Sequence, residues 1–148
     1  LLKAISDYTE GGYTGAYNIR ENAGCGGRQS TDNIEIVGKE DGSGIDIIIK
    51  PGTKNENVFI PACVTKGNVH DLVYNDFHIG EGADVRIIAG CGIHNSGEDA
   101  SAHDGVHTLH VGENSKVKYV EKHYGSGEGT GENVMNPTTI IEIDEDYM

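Results

Sequence analysis

Three cysteines, seven histidines and 24 carboxylates carry the reactive chemistry of this 148-residue chain. Their phase along the sequence says more than their number. Side chains alternate between the two faces of a β-strand. In residues 85–91 the apolar phase is Val85, Ile87, Ala89 and Cys91, with Asp84 and Arg86 on the other face. Further on, the matching phase holds His107, Leu109 and Val111, then Val117, Tyr119, Glu121 and His123, opposite Lys116, Lys118 and Lys122. The inward face therefore ends in Cys91, His107, Glu121 and His123. A thiolate beside imidazoles suits iron, zinc or copper, so the metal candidates are His107, Glu121 and His123, together with His103. Cys91 with His107 or His123 also has the make-up of a nucleophile–base pair, though no oxyanion motif accompanies it. Against these readings, a buried Cys is commonly a small hydrophobe.

His94, His103, His107, His110 and His123 fall within 30 residues. None has the close ligand spacing of a zinc knuckle, so a closed structural metal site is not expected. His78 and His110 recur at one repeat position and read as a solvated strand face. Gly24-Cys25-Gly26-Gly27 lacks the Lys-Ser/Thr of a phosphate-binding loop.

The elements that must position these groups are strands. The chain has 16 Ile and 11 Val against 4 Leu, and 22 Gly against 3 Pro. β-Branched residues favour pleated strands, and the glycines mark frequent turns. Short apolar runs fall at 34–37, 45–50, 57–60, 69–74, 77–79, 85–89, 106–111, 117–121 and 139–143. Residues 1–30 differ from the rest. Leu1, Leu2, Ile5 and Tyr8 have roughly helical spacing, and the Gly/Asn-rich stretch after them reads as an irregular lead-in or an edge hairpin.

The most informative pattern is a repeat. Phe77-His78-Ile79-Gly80-Glu81-Gly82-Ala83-Asp84-Val85-Arg86-Ile87 returns as Leu109-His110-Val111-Gly112-Glu113-Asn114-Ser115-Lys116-Val117-Lys118-Tyr119. A weaker copy runs from Ile36-Val37-Gly38 through Gly44 into Ile45-Asp46-Ile47. Periods of ~20–50 residues point to solenoids or propellers. The expectation is an all-β right-handed parallel β-helix over 31–148, preceded by the lead-in or cap at 1–30. A hairpin-built sandwich is the competing architecture.

Composition removes several function classes. The formal net charge is −13, from 11 basic and 24 acidic residues, which opposes phosphate neutralisation and docking on anionic lipid. No apolar run approaches the ~20 residues of a membrane span. The odd cysteine count without framework spacing favours free thiols and a cytoplasmic setting. Abundant carboxylates leave room for a carbohydrate-active enzyme, but no aromatic sugar platform accompanies them. A structural interaction domain, pairing as a homodimer, is the third reading.

Glu81-Gly82-Ala83 before a strand, Gly90-Cys91 ending it, Ala102-His103 opening the next, and Val117-Lys118-Tyr119 stand in a characteristic order. With them, residues 69–137 resemble the SufB/SufD proteins of the SUF iron–sulfur cluster assembly system, and residues 31–68 fit more loosely. The resemblance implies a parallel β-helix and a non-enzymatic scaffold on which an iron–sulfur cluster is built and passed on. It also implies partnership with a SufB/SufD-like subunit and a SufC-like ABC ATPase. It places Cys91 as sulfur acceptor. Where the SufB-type strand continues Val-Gln-Asn-Trp, this chain has Glu121-Lys122-His123-Tyr124, so Glu121 and His123 would line any interior sulfur path. The chain resembles a short or truncated member lacking the ATPase-binding helices.

Overall fold

A computed structural model of the chain describes residues 15–22, 24–65, 70–94, 101–126, 133–135 and 138–143. They form β1 (Ala16–Glu21), β2 (Gly24–Gln29), β3 (Ile34–Gly38), β4 (Gly44–Ile49), β5 (Lys54–Val64), β6 (His70–Ile79), β7 (Asp84–His94), β8 (Ser101–Val111), β9 (Lys116–Ser126), β10 (Asn133–Met135) and β11 (Thr138–Ile143). Several strands are longer than the apolar runs suggest, and residues 70–74 and 77–79 of two runs merge into β6, Val69 lying outside the described residues. The helix expected near the N-terminus, residues 95–100 and residues 127–131 lie outside the described residues.

The chain alternates between two sheets, ordered β2-β1-β5-β7-β9 and β10-β8-β6-β4-β3, with β11 also beside β8. The repeat sets the register. His78 lies opposite His110 in the parallel β6–β8 pair, and Asp84 opposite Lys116 in the parallel β7–β9 pair. The earlier layer is misplaced by the sequence reading. Residues 36–38 are in β3, which pairs antiparallel with β4. The segment in register with Phe77–Ile79 is Ile47–Ile49 of β4.

The turns between the sheets explain the Gly-Glu motif. Gly82 and Asn114 hold equivalent left-handed positions, at φ 66° and 58°, which Gly and Asn tolerate best. Each turn also hydrogen-bonds to the next: the Gly82 amide donates to the Glu113 carbonyl (2.8 Å), and the Lys116 amide to the Ala83 carbonyl (2.7 Å). A Cβ on Gly80 would sit 2.5 Å from the Pro51 nitrogen, and one on Gly112 would sit 2.6 Å from the Ile79 carbonyl oxygen. Glycine is required there because stacked turns leave no room.

The right-handed parallel β-helix expected from this repeat does not form. Both sheets are mixed: β1 pairs antiparallel with β2, and β3 with β4. Neither sheet closes, so the architecture is two open facing sheets and not a solenoid. The reason is that a repeat period fixes which residue stacks on which. It does not fix how many faces a layer has or how the sheet edges are finished. Residues 16–29, read as an irregular lead-in or an edge hairpin, form that hairpin and join β5 in parallel through β1.

The core lies between the sheets. Ile45, Ile47, Ile49, Phe77, Ile79 and Leu109 from one sheet meet Val58, Ile60, Val85, Ile87 and Ala89 from the other. On the outer face, His78 and His110 stack at 4.9 Å with 3° between ring planes, among Asp46, Asp76, Glu142 and Lys39. The solvated-face reading of this pair agrees with its outward position.

Gly112→Ala is expected to lower stability by roughly 1–3 kcal/mol, because the methyl group meets backbone that has nowhere to go. Asn114→Gly should be neutral or slightly stabilising. Urea unfolding of both variants checks this, and an unchanged midpoint for Gly112→Ala would refute the tight stacking of turns.

Candidate functional site

The strands of one sheet enter the interior with polar residues where the strands of the other leave it. Alternation turns Asp71, Asn75, His103 and His107 inward on β6 and β8, and all four are buried. Facing them are buried Cys91 in the last third of β7 and, from the second half of β9, half-buried Glu121 and exposed His123 at the cavity's edge. Register brings these groups together: Cys91 pairs with His123, Asn75 with His107, and Asp71 with His103. A cavity of about 40 Å³ results, lined by Cys91, His103, His107, Glu121 and His123, with Arg20 and Asn75 among its other walls. Such a volume admits one or a few waters.

The cavity is anchored by a buried charge. The Asp71 side chain is 2% exposed. Arg20 on β1 reaches it from the opposite sheet, donating from Nε (2.8 Å to Oδ2) and from a terminal nitrogen (2.8 Å to Oδ1). His103 Nδ1 lies 2.9 Å from Oδ2. Burial pushes the Asp71 carboxyl upward, but the bonds from His103 and Arg20 outweigh it and hold the group down at about 2. Asp71 is therefore an ionised acceptor, so His103 Nδ1 carries the hydrogen and donates it.

His107 is 8% exposed, and its Nδ1 is buried without a hydrogen-bond partner. The ring stacks on Phe77 with centroids 6.1 Å apart and meets Tyr119 edge-on. Burial lowers its pKa to about 4, so the imidazole is neutral at pH 7. Cys91 is 5% exposed. Burial first, then Cys63, Asp71 and Asp104, push its thiol up to about 12. Such a thiol is protonated near neutrality and is a weak nucleophile as it stands.

Glu121 accepts hydrogen bonds from the Tyr119 hydroxyl and from Thr139 Oγ1, the latter at 3.0 Å, and His123 Nε2 lies 3.4 Å from it. Burial works to raise its pKa, but Tyr119, Thr139 and His123 together lower it. Burial and the same Glu121 bond raise the pKa of Tyr119.

All five residues singled out from the sequence thus line one cavity. Among the described residues, no three of His, Cys, Asp and Glu come close enough together to hold a metal ion between them. Sequence reasoning missed Arg20, Asp71, Asn75 and Gly105. The 32-residue offset was the usable signal for Asp71 and Asn75, because it sets them beside His103 and His107. Arg20 had none, since it arrives from the other sheet.

The chain matches no protein-family model, no curated protein and no solved structure. No helix among the described residues is long and apolar enough to cross a membrane.

Two predictions follow from these contacts. Asp71→Asn leaves Arg20 part-buried without its carboxylate and is expected to cost roughly 3–5 kcal/mol in urea unfolding. His107 gives a pH signature. Its folded pKa of about 4 lies below the ordinary 6.5, so below pH 6.5 the unfolded chain takes up a proton that the folded chain refuses. The stability this neutral ring contributes is complete above pH 6.5. It falls away as the pH drops toward 4, by about 3 kcal/mol at ~1.4 kcal/mol per unit. His107→Leu should flatten the stability profile between pH 6.5 and 4, and a variant with the native slope in that window contradicts the assignment.

Proposed function

We propose that the protein is a non-enzymatic scaffold for iron–sulfur cluster assembly. In this reading the Cys91 thiolate takes the outer sulfur of a donor persulfide, whose own thiolate leaves, and imidazoles of the same cavity receive iron. Iron and sulfide are cargo, not resident cofactors. The observation that carries the reading is the gathering of a thiol, three imidazoles and a carboxylate, from residues 91 to 123, around one inter-sheet cavity. That donor set combines soft sulfur with nitrogen and oxygen, a mixture iron accepts. The resemblance of residues 69–137 to SufB and SufD proteins points the same way through Gly90-Cys91 and Val117-Lys118-Tyr119. A SufC-like ATPase and a SufB/SufD-like mate or second copy are the partners that belong with it. Glycoside hydrolysis fits the cavity less well. It needs two carboxylates flanking a sugar bond, whereas here Asp71 is committed to Arg20 and His103, leaving Glu121.

Anaerobic incubation with ferrous iron and sulfide tests the proposal. The native chain should develop the visible absorbance of a cluster. Cys91→Ser should lose most of it, and Cys63→Ser, whose thiol does not line the cavity, should keep it. Circular dichroism confirms that each variant is folded. Equal absorbance in native protein and Cys91→Ser would remove Cys91 from the role.

A further inference from the structure

His103, Gly105 and His107 occupy alternate inward positions on β8. At ~3.3 Å of rise per residue, the two histidine Cα atoms stand about 13 Å apart along the strand. Their rings nonetheless lean toward each other over the glycine. A Cβ built on Gly105 would lie 3.0 Å from His107 Nε2 and 3.3 Å from His103 Nε2. Two imidazole nitrogens therefore border a single point on the cavity wall, and the missing side chain keeps that point open.

The protonation pattern suits a cation there. His103 donates Nδ1–H to Asp71, which in its neutral form leaves a lone pair on Nε2, the arrangement in which a carboxylate orients a metal-binding histidine. Arg20 locks that carboxylate with hydrogen bonds at both oxygens. His107 has no orienting partner of that kind, since its buried Nδ1 makes no hydrogen bond. Its Nε2 is the nitrogen turned toward Gly105. The outer pair His78 and His110 offers no rival site, because their Nε2 atoms face Asp46 and Asp76, and His110 Nδ1 faces Glu142.

We propose that His103 and His107 form a two-imidazole site, opening over Gly105, for a divalent first-row transition-metal cation whose remaining ligands are water. Iron(II) is the cation if the scaffold reading above holds, and only that identity rests on it. Nitrogen–metal bonds are ~2.0–2.1 Å, so the two Nε2 atoms must come within about 4.2 Å of each other on binding, with the cation beyond the Gly105 backbone on the cavity side. Asp71 is a positioning residue that fixes the tautomer of His103.

Cobalt(II), titrated into the full chain without sulfide, is the probe, read by its visible absorption bands and by calorimetry. One cobalt per chain is expected. Gly105→Ala fills the gap without removing a donor and should weaken binding by roughly 10–100-fold, the loss that disturbing a ligand's setting commonly brings. His107→Leu, which removes an unpartnered buried nitrogen and should fold well, is expected to lose the bands. His78→Gln should bind as the native chain does. Absence of binding in the native chain, or native affinity in both cavity variants, overturns the site. The readout uses neither sulfide nor Cys91. Cobalt bound here while the native chain develops no cluster absorbance with iron and sulfide would sink the cluster reading and leave this one standing.

Discussion

Between the two sheets lies a carboxylate that water barely reaches, and the polar half of the interior is organised by the need to keep that charge paired. A lone carboxylate in such a place would take up a proton. Asp71 stays ionised because Arg20 crosses from the facing sheet and His103 donates from the neighbouring strand. The pairing sets more than the charge. It ties β1 to β6, which belong to different sheets, and it decides which nitrogen of His103 is left for the cavity. Buried ion pairs often contribute little net stability compared with an apolar core, but losing one partner is costly. Arg20, Asp71 and His103 are best understood as specifying an arrangement.

The interior has two characters, and strand direction separates them. Where the strands of one sheet end and those of the other begin, near the Gly-Glu turns, the contents are buried Ile, Val, Phe and Leu. At the opposite end Asp71, Asn75, His103 and His107 are buried with Cys91, and half-buried Glu121 and exposed His123 border them. The apolar end supplies the burial that holds the sheets together. That leaves the other end free to carry groups that weaken a core, including a histidine whose Nδ1 has no partner. Tight turn stacking supports this division, since it fixes every inward position in register with the layer before it.

Much of this was legible in the residues, and the failures have physical causes. For the segments 77–87 and 109–119 the 32-residue repeat showed which residues lie side by side and share a face, because parallel register carries sequence offset directly into space. Cys91, His107, Glu121 and His123 could be read as one inward row on that basis. Closure was not legible. The antiparallel pairs β1–β2 and β3–β4 arise from short local connections that turn through left-handed Asn22 and Gly42, and these finish the sheets as open edges where stacking alone suggested a continuous coil. Arg20 was invisible because its partner lies 51 residues away on the facing sheet, and nothing in an alternation pattern encodes contacts across the gap. Nothing in the alternation pattern marked Gly105. Its meaning emerges only once the two rings beside it are placed.

Cys91 poses the remaining electrostatic question. Its thiol is held protonated by burial and by the negative charges of Asp71 and Asp104, in a chain whose net charge is already −13. Thiolate, not thiol, attacks sulfur and binds metal. The cavity at rest is therefore a poor place for the chemistry proposed for it, unless positive charge arrives first. Neither His107, neutral by burial, nor Arg20, committed to Asp71, provides that charge. A dipositive ion at the imidazoles does, and bound cations invert the local bias against ionisation. On the scaffold reading proposed above, iron binds at the histidines before sulfur reaches Cys91, and the thiol stays inert until the metal is in place.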